Sequence, residues 1–487
     1  LNATIWIDVE DLFDYARVNP RPSGIQRLAF EVYRALQARY ASDAAGQSRV
    51  RYVRHMPAPA TFREVPWADV EALFDGLCRS DTSHPRRILS AANDGAAARW
   101  AALHRSTADR PRGLDRLPER LRGPLIRLSV LQPAALRAAR EFLAALLTRE
   151  SPPDPPAPAV APPADPQPDF DTLVRPGDVL LVLGAPWFDV HHGRLLARAR
   201  RAHGLRTALL LYDLIPIRRP EWCDRRLVRQ FAAWLEGVLP EVDALFAISR
   251  ASAADVELYA RQVGLTLPGP VRAVPIGTGF GPVADGAAHR GAPVDAPGDD
   301  ALPSPGSYVL FVSTIEARKN HVLLFQVWRR LLDEMPADAV PTLVFAGRIG
   351  WLVADLMQQI RNADYLGGRI VIVQDPSDGD LRQLYDGCLF TVFPSLFEGW
   401  GLPVTESLAL GKPCVIARGS SLPEAGGALA RYFDANSVGD ACRVIRATLD
   451  DPADLAAWQQ RVRTEFRKVP WQATADAILH GLQAVPA

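Results

Sequence analysis

Short apolar runs, each followed by a polar or glycine-bearing loop and then a stretch with helical spacing, recur in two sets along this chain. That alternation restricts it to a parallel α/β architecture. The first set comprises Thr4 to Val9, Asp178 to Leu183, Thr207 to Leu211, Ala244 to Ile248 and Val271 to Pro275. The second comprises Tyr308 to Val312, Thr342 to Phe345, Arg369 to Val373, Leu389 to Phe393 and Cys414 to Ala417. Between them Gly277 to Gly306 is rich in Gly, Pro, Ala and Asp and nearly free of large apolar residues, and it reads as an interdomain linker. With 487 residues, two Rossmann-like doubly wound domains are expected, over 1–280 and 307–465 with the linker at 281–306.

One stretch interrupts the alternation. From Thr61 to Leu147 the chain reads as helix rich in Ala, Leu and Arg, so 61–170 is expected to be a helical, then proline-rich, insertion in the first domain. Arg105 to Glu150 holds ten Arg against five Asp or Glu, with Leu114, Leu117, Leu121, Leu125 and Leu128 at helical spacing. Such a pattern fits an anionic membrane surface, or, more commonly, packed helices with a solvated face. Ser151 to Asp169 is too rich in proline for helix or central strand.

Lys+Arg and Asp+Glu both number 55, so no global attraction to nucleic acid is expected. Five widely spaced cysteines without a CxxC pair fit a reducing compartment better than a disulfide framework or a zinc site. No run of about 18 apolar residues and no basic, then apolar, leader occurs, which reads as a cytoplasmic protein.

In an open α/β sheet, ligands bind beyond the carboxyl ends of the strands. That rule puts Trp187, Asp189, His191, Tyr212, Asp213 and Ser249 on one rim, with Asp213, directly after a strand, the strongest candidate. His191 and His192 read as surface imidazoles, with no third partner at metal-ligand spacing. Gly24 sits in the turn RPSGIQR between the first strand and a helix over Ile25 to Tyr40, where a backbone can approach a phosphate.

The second half carries the sharper signal, FPSLFEGWGLPVTES at Phe393 to Ser407. Strand, glycine loop and helix N-terminus make an anion site there, with Gly401 suited to the N-cap and Pro403 to the first turn. Glu398 and Glu406 bracket it, a pairing suited to a ligand with both anionic and hydroxyl-rich parts. Arg318 and Lys319, between a strand end and a helix start, supply cations for a diphosphate. Gly347 and Gly350 in AGRIGW allow close backbone approach. Asp378-Gly379-Asp380 looks like a metal-binding DxD, but its setting makes Asp380 a capping residue. Neither a GxGxxG fingerprint nor a Walker A motif is present.

These parts fall in a familiar order. STIEARKN at 313–320, AGRIGW at 346–351, Leu384-Tyr385, the stretch at 393–407, SLPEAGG at 421–427, PSGIQR and YDLIP resemble retaining glycosyltransferases of family 4, closest to the mannosyltransferase-B-like subgroup of bacterial O-antigen synthesis. Glu398 and Glu406, with seven residues between them, match that family's signature. The resemblance covers most of the chain outside about 61–170. It implies the GT-B fold, with the C-terminal helix of 466–487 packing back on the N-terminal domain.

The resemblance also implies roles. Arg318 and Lys319 would hold the donor diphosphate, Glu406 the ribose hydroxyls, and Glu398 hydroxyls of the transferred sugar. Ser313, Thr314, Gly347 and the backbone from Gly399 through Trp400 and Gly401 to Leu402 would touch the donor, while Gly24 and Asp213 face it from the other domain. The expected reaction moves a hexose, mannose or a deoxyhexose favoured, from a nucleoside diphosphate sugar, GDP-mannose-like favoured, to a glycan or lipid-linked oligosaccharide with retention. No cofactor and no metal are expected, and contact with the cytoplasmic face of the inner membrane is left open. Two departures stand out: Tyr212-Asp213 replaces the His-Asp common in relatives, and Ser313-Thr314 replaces Gly-Arg. A GT-B epimerase or phosphorylase, or a silent scaffold that binds a sugar nucleotide, are the alternatives.

Overall fold

In a computed structural model of the chain, residues 3–40, 49–56, 61–79, 87–91, 170–279 and 302–484 are described. Among them two seven-stranded sheets account for the alternating pattern. In the first, β1 (Ile5–Asp8) lies between β2 (Val50–Met56) and β5 (Val179–Val182), in the order β3-β2-β1-β5-β6-β7-β8. Here β3 is Thr61–Val65, β6 Arg206–Leu211, β7 Ala244–Ala247 and β8 Arg272–Ala273, and all but β3 run parallel.

Burial on both faces explains why these strands read as unbroken apolar runs. Ile5, Ile7, Val179 and Leu181 pack in one cluster with the helix Gly24–Tyr40, while Trp6, Leu180 and Val182 pack in the other with Phe231 and Trp234. Successive residues point to opposite faces, so each strand feeds both cores. The C-terminal helix Trp471–Gln483 belongs to the first cluster through Trp471, Ile478 and Leu482. Trp471 Nε1 donates to the carbonyl of Gly279 at 2.6 Å, and Thr474 Oγ1 to that of Pro275 at 2.7 Å.

The second sheet has the order β14-β13-β12-β9-β10-β11-β4. Its members are β9 (Tyr308–Val312), β10 (Thr342–Ala346), β11 (Ile370–Gln374), β12 (Thr391–Phe393), β13 (Cys414–Ala417) and β14 (Arg431–Phe433), all parallel, with β4 (Arg87–Leu89) antiparallel at the edge.

The structure corrects the helical reading of 61–147 at its start. Thr61 to Val65 extend the first sheet, with Tyr52 opposite Val65 and Met56 opposite Thr61. Among the described residues of this stretch Trp67–Arg79 is helix, and Arg87 to Leu89 then cross over to pair with Gln374 to Ile372 of the second sheet. In TFREV alternation and β-branching outweigh the Ala and Arg content further on. The basic leucine pattern, the proline tract and most of the linker lie outside the described residues. A helix that the sequence reading lacked, Glu10–Val18, follows β1 directly. Ser377 and Asp380 form a reciprocal capping box on the helix Asp378–Gly387. No described helix is long and apolar enough to cross a membrane.

Candidate active site

The site starts where β9 ends. A single turn over Ala317–Lys319 is followed by Asn320 in the left-handed region, φ 61°. Its amide donates to the carbonyls of Pro394 at 3.2 Å and Ala435 at 2.9 Å, tying this turn to the loop after β12. Arg318 and Lys319 thereby meet Glu398. Arg318 Nη1 donates to Glu398 Oε2 at 2.7 Å and to the Phe397 carbonyl at 2.9 Å, and its Nη2 lies 2.7 Å from Glu316 Oε1. Lys319 Nζ donates to Glu398 Oε1 at 2.6 Å.

All three side chains are largely buried, so these charges act in a low local dielectric. Burial opposes ionisation of Glu398, but Lys319 and Arg318 outweigh it and hold the carboxyl down at about 2. Burial likewise opposes the Arg318 charge, yet Glu398 and Glu316 raise its pKa above the ordinary guanidinium value. Burial and then Arg318 lower the Lys319 ammonium, with Glu398 pulling the other way. The result is a compact, charge-balanced cluster with one carboxylate shared by two cations.

The loop into the helix Leu402–Ala409 is held from below. Ser420 Oγ accepts from the Glu398 N–H at 2.8 Å, and Ser421 Oγ bonds the carbonyls of Glu398 and Trp400, both at 2.9 Å. Gly401 caps the helix at φ 110°, a conformation that other residues reach only with strain, and no side chain caps it. At this end Pro403 has no N–H and those of Val404 and Thr405 turn back to the Gly401 carbonyl at 2.9 and 3.4 Å, so the donors left for an anion are those of the loop up to Leu402. Glu406 accepts from Tyr385 Oη at 3.2 Å; burial lifts its carboxyl to about 6 even with that hydrogen bond and nearby Arg27 pulling it down.

The first domain closes on this face. Gly399 lies so near Asp213 that a Cβ there would sit 2.6 Å from the Tyr212 carbonyl and 3.3 Å from Asp213 Oδ2. Asp213 takes the Ile215 N–H at 2.9 Å, and burial raises its pKa. Gly24 opens the helix Gly24–Tyr40 against Leu402, while Trp400 and Leu402 pack on the core that includes Ile5 and Leu28. Ser313, Thr314, Gly347 and Gly350 adjoin at the ends of β9 and β10: Cβ atoms on the two glycines would strike the Ser313 carbonyl and Thr314 Cγ2.

So Arg318, Lys319, Glu398 and Asp213 come together at one place. Glu406 stands on the next turns of the helix, and Arg27, whose guanidinium forms two hydrogen bonds to Asp378 at 3.0 Å, links that region to the first domain. Tyr212 is buried, and its hydroxyl donates to the Leu183 carbonyl at 2.6 Å, committing it to the first core. The surface reading of His192 is corrected: it is wholly buried, with Nε2 3.0 Å from Asp8 Oδ2. Asn320, Ser421 and Arg27 stand inside the quoted motifs STIEARKN, SLPEAGG and PSGIQR but had no role assigned, and Ser420 lies just before one; nothing local shows which carbonyl or carboxylate each one meets.

Residues 297–465 match the family described as glycosyl transferases group 1. The chain carries a group 1 glycosyltransferase domain. Curated relatives of the chain include the serotype-specific mannosyltransferase WbdA of Escherichia coli, 26% identical over 309 residues, which cover 58% of this chain and 34% of that protein. The O-antigen chain mannosyltransferase B of Escherichia coli is 30% identical over 165 residues, 34% of this chain and 42% of that protein. The chain thus spans between a third and a half of the length of these relatives. Among solved structures, the N-terminal domain of Candida albicans trehalose-6-phosphate phosphatase superposes with a TM-score of 0.52 at 11% identity, covering 99% of this chain and 97% of that one. The fold is GT-B, with the glycosyltransferase domain holding six of the seven strands of the second sheet and the loops from Ser313 to Gly427.

Proposed function

We propose that the chain transfers a hexose, with mannose or a deoxyhexose favoured, from a nucleoside diphosphate sugar to a hydroxyl of a growing bacterial surface glycan, with retention of configuration. The observation that carries this reading is the convergence of Arg318 and Lys319 on Glu398 beside the start of the helix Leu402–Ala409, which Gly401 caps without a side chain. A sugar diphosphate has parts for each group: phosphates for the two cations and the helix end, and hydroxyls for the carboxylates. Glu398 spends one lone pair of each oxygen on a cation and keeps others for sugar hydroxyls. Glu406, steadied by Tyr385, takes the ribose.

Cleavage of the sugar–phosphate bond leaves charge on the departing diphosphate, where Lys319 and Arg318 stabilise it. The same phosphate oxygen accepts the acceptor proton on the face where the new bond forms. These cations stand where other enzymes use a divalent ion, so activity is expected to survive EDTA. The sequence similarity to mannosyltransferases supports mannose as the sugar, and the family resemblance favours GDP as the nucleotide. The test is transfer from GDP-mannose to a lipid-linked or synthetic oligosaccharide in 5 mM EDTA, with the new linkage read by NMR. An α-linked product fits the proposal; inversion, or loss of activity with chelation, overturns it.

A further inference from the structure

A second polar cluster lies at the carboxyl ends of β1, β2 and β5, outside the site above. Asp8 Oδ2 lies 2.7 Å from His55 Nε2 and 3.0 Å from His192 Nε2, and the three ligating atoms fall within 4.8 Å of one another. Such spacing suits a metal, but Trp234 argues otherwise. Its indole Nε1–H donates to His192 Nδ1 at 3.4 Å, so Nδ1 carries the lone pair and Nε2 carries the proton that Asp8 accepts. A metal-bound imidazole needs the reverse arrangement, with the outer nitrogen donating to an acceptor. The cluster is therefore a hydrogen-bonded chain with a fixed direction.

That chain ends at the surface. The second nitrogen of His55, Nδ1, lies 3.6 Å from Asp189 Oδ2, so the ring stands between two carboxylates. Burial opposes its charge, but Asp8 and Asp189 push its pKa up to about 10, and it is an imidazolium at neutral pH. Glu10 fixes the backbone that carries the ring, accepting the main-chain N–H of His55 at 2.9 Å and two bonds from Arg54. Asp189 is fixed in turn, since its Oδ1 takes the His191 N–H at 2.8 Å. Beside it Phe188 is 70% exposed, an unusual setting for a phenyl ring. Buried ion pairs of this kind add little net stability, so a stabilising role does not account for the arrangement.

The same loop leads back to the reacting centre. Leu183, at its start, accepts the Tyr212 hydroxyl, Asp11 holds the Ala185 N–H at 3.0 Å, and Tyr212 adjoins Asp213 against Gly399. We propose that Phe188, Asp189 and His55 form the acceptor subsite, taking a neutral pyranose of the growing glycan, with Asp8, His192 and Trp234 as positioning residues. The apolar face of the sugar stacks on Phe188, and its hydroxyls donate to Asp189 and accept from His55. This rests on the glycosyl-transfer reading above.

The test uses the full chain and two independent measurements. Saturation-transfer NMR with a panel of neutral di- and trisaccharides of mannose, glucose, galactose and rhamnose reads the subsite, and thermal shift with GDP, UDP and dTDP reads the donor site. At least one saccharide is expected to bind the wild type, and Phe188→Ala and Asp189→Asn to weaken it about tenfold or more, the loss of a principal contact. Trp234→Phe, which removes the hydrogen bond to His192 together with part of the buried ring, is expected to raise the acceptor KM about threefold with kcat unchanged, a split that a merely structural role would not produce. The nucleotide shift stays at its wild-type value in all three, which also shows that they fold. Saccharide binding that survives both Phe188→Ala and Asp189→Asn, or a wild type that binds no saccharide, overturns the subsite while the donor reading stands on its nucleotide shift. If no nucleotide shifts the wild type, the donor reading fails instead.

Discussion

At the residue scale, Lys319 and Glu406 carry the most specific consequences. Lys319→Ala removes the cation nearest Glu398 and leaves Arg318, already bonded to Glu316 and the Phe397 carbonyl, to hold the charge alone. Turnover is expected to fall about 10²- to 10³-fold, the range for losing one preorganised electrostatic contact, with the unfolding transition retained; steady-state assays beside a thermal melt check this. Glu406 predicts a pH dependence. Its folded-state pKa of about 6 lies above the ordinary 4.5, so the carboxylate proposed to accept ribose hydroxyls is lost as pH falls through 6. Nucleotide affinity is therefore expected to weaken below pH 6, read by calorimetry across pH 5 to 8. The sign for stability is opposite. A raised acid disfavours the folded state once it ionises, by on the order of 2 kcal/mol above pH 6 and not at all below the unfolded pKa. Glu406→Gln should then stabilise the protein at pH 7.5 while weakening nucleotide binding, and urea titration beside calorimetry separates the two effects.

At the element scale, the strand, loop and helix around Phe393 to Ser407 were legible because their determinants are local. Gly401 supplies the left-handed cap and Pro403 the first turn, and both positions follow from sequence alone. Gly401→Ala is expected to cost about 1–3 kcal/mol, since φ is 110° and the new methyl would approach Leu422 Cδ2 at 2.9 Å; denaturant unfolding measures it. Other elements gave no local sign. Arg87 to Leu89 form a three-residue edge strand, too short for any period to register, and only pairing with Ile372 to Gln374 defines it. The helix Glu10–Val18 starts at Val9 without a capping side chain, so it lacks the usual start signal. His55 and His192 lie 47 and 184 positions from Asp8, and no spacing rule connects such distances.

At the scale of the whole molecule, five strands of each sheet were readable from repeated alternation, whereas β2, β3, β4, β14 and the contacts that hold the cleft closed were not. Glu424 of the second half accepts the N–H groups of Arg250 and Ala251, both at 2.9 Å, capping the helix Arg250–Val263 of the first half. Across the cleft Arg27 pairs with Asp378, and Trp351 Nε1 donates to the Trp222 carbonyl at 2.8 Å. Exposed pairs such as Arg27 with Asp378 contribute at most about 1 kcal/mol each, so closure rests on several weak contacts and a domain opening is accessible. The double variant Arg27→Ala/Glu424→Ala is expected to show a larger radius of gyration by small-angle scattering, with the nucleotide shift reduced but present. The central claim, that the Phe393 to Ser407 stretch with Arg318 and Lys319 is a sugar-nucleotide donor site, is tested most directly by thermal shift of the full chain against GDP, UDP, dTDP and ADP. At least one of them is expected to raise the melting temperature of the wild type, and Lys319→Ala and Glu406→Ala to abolish the rise. The absence of any shift, or a shift that persists in both variants, would contradict the account.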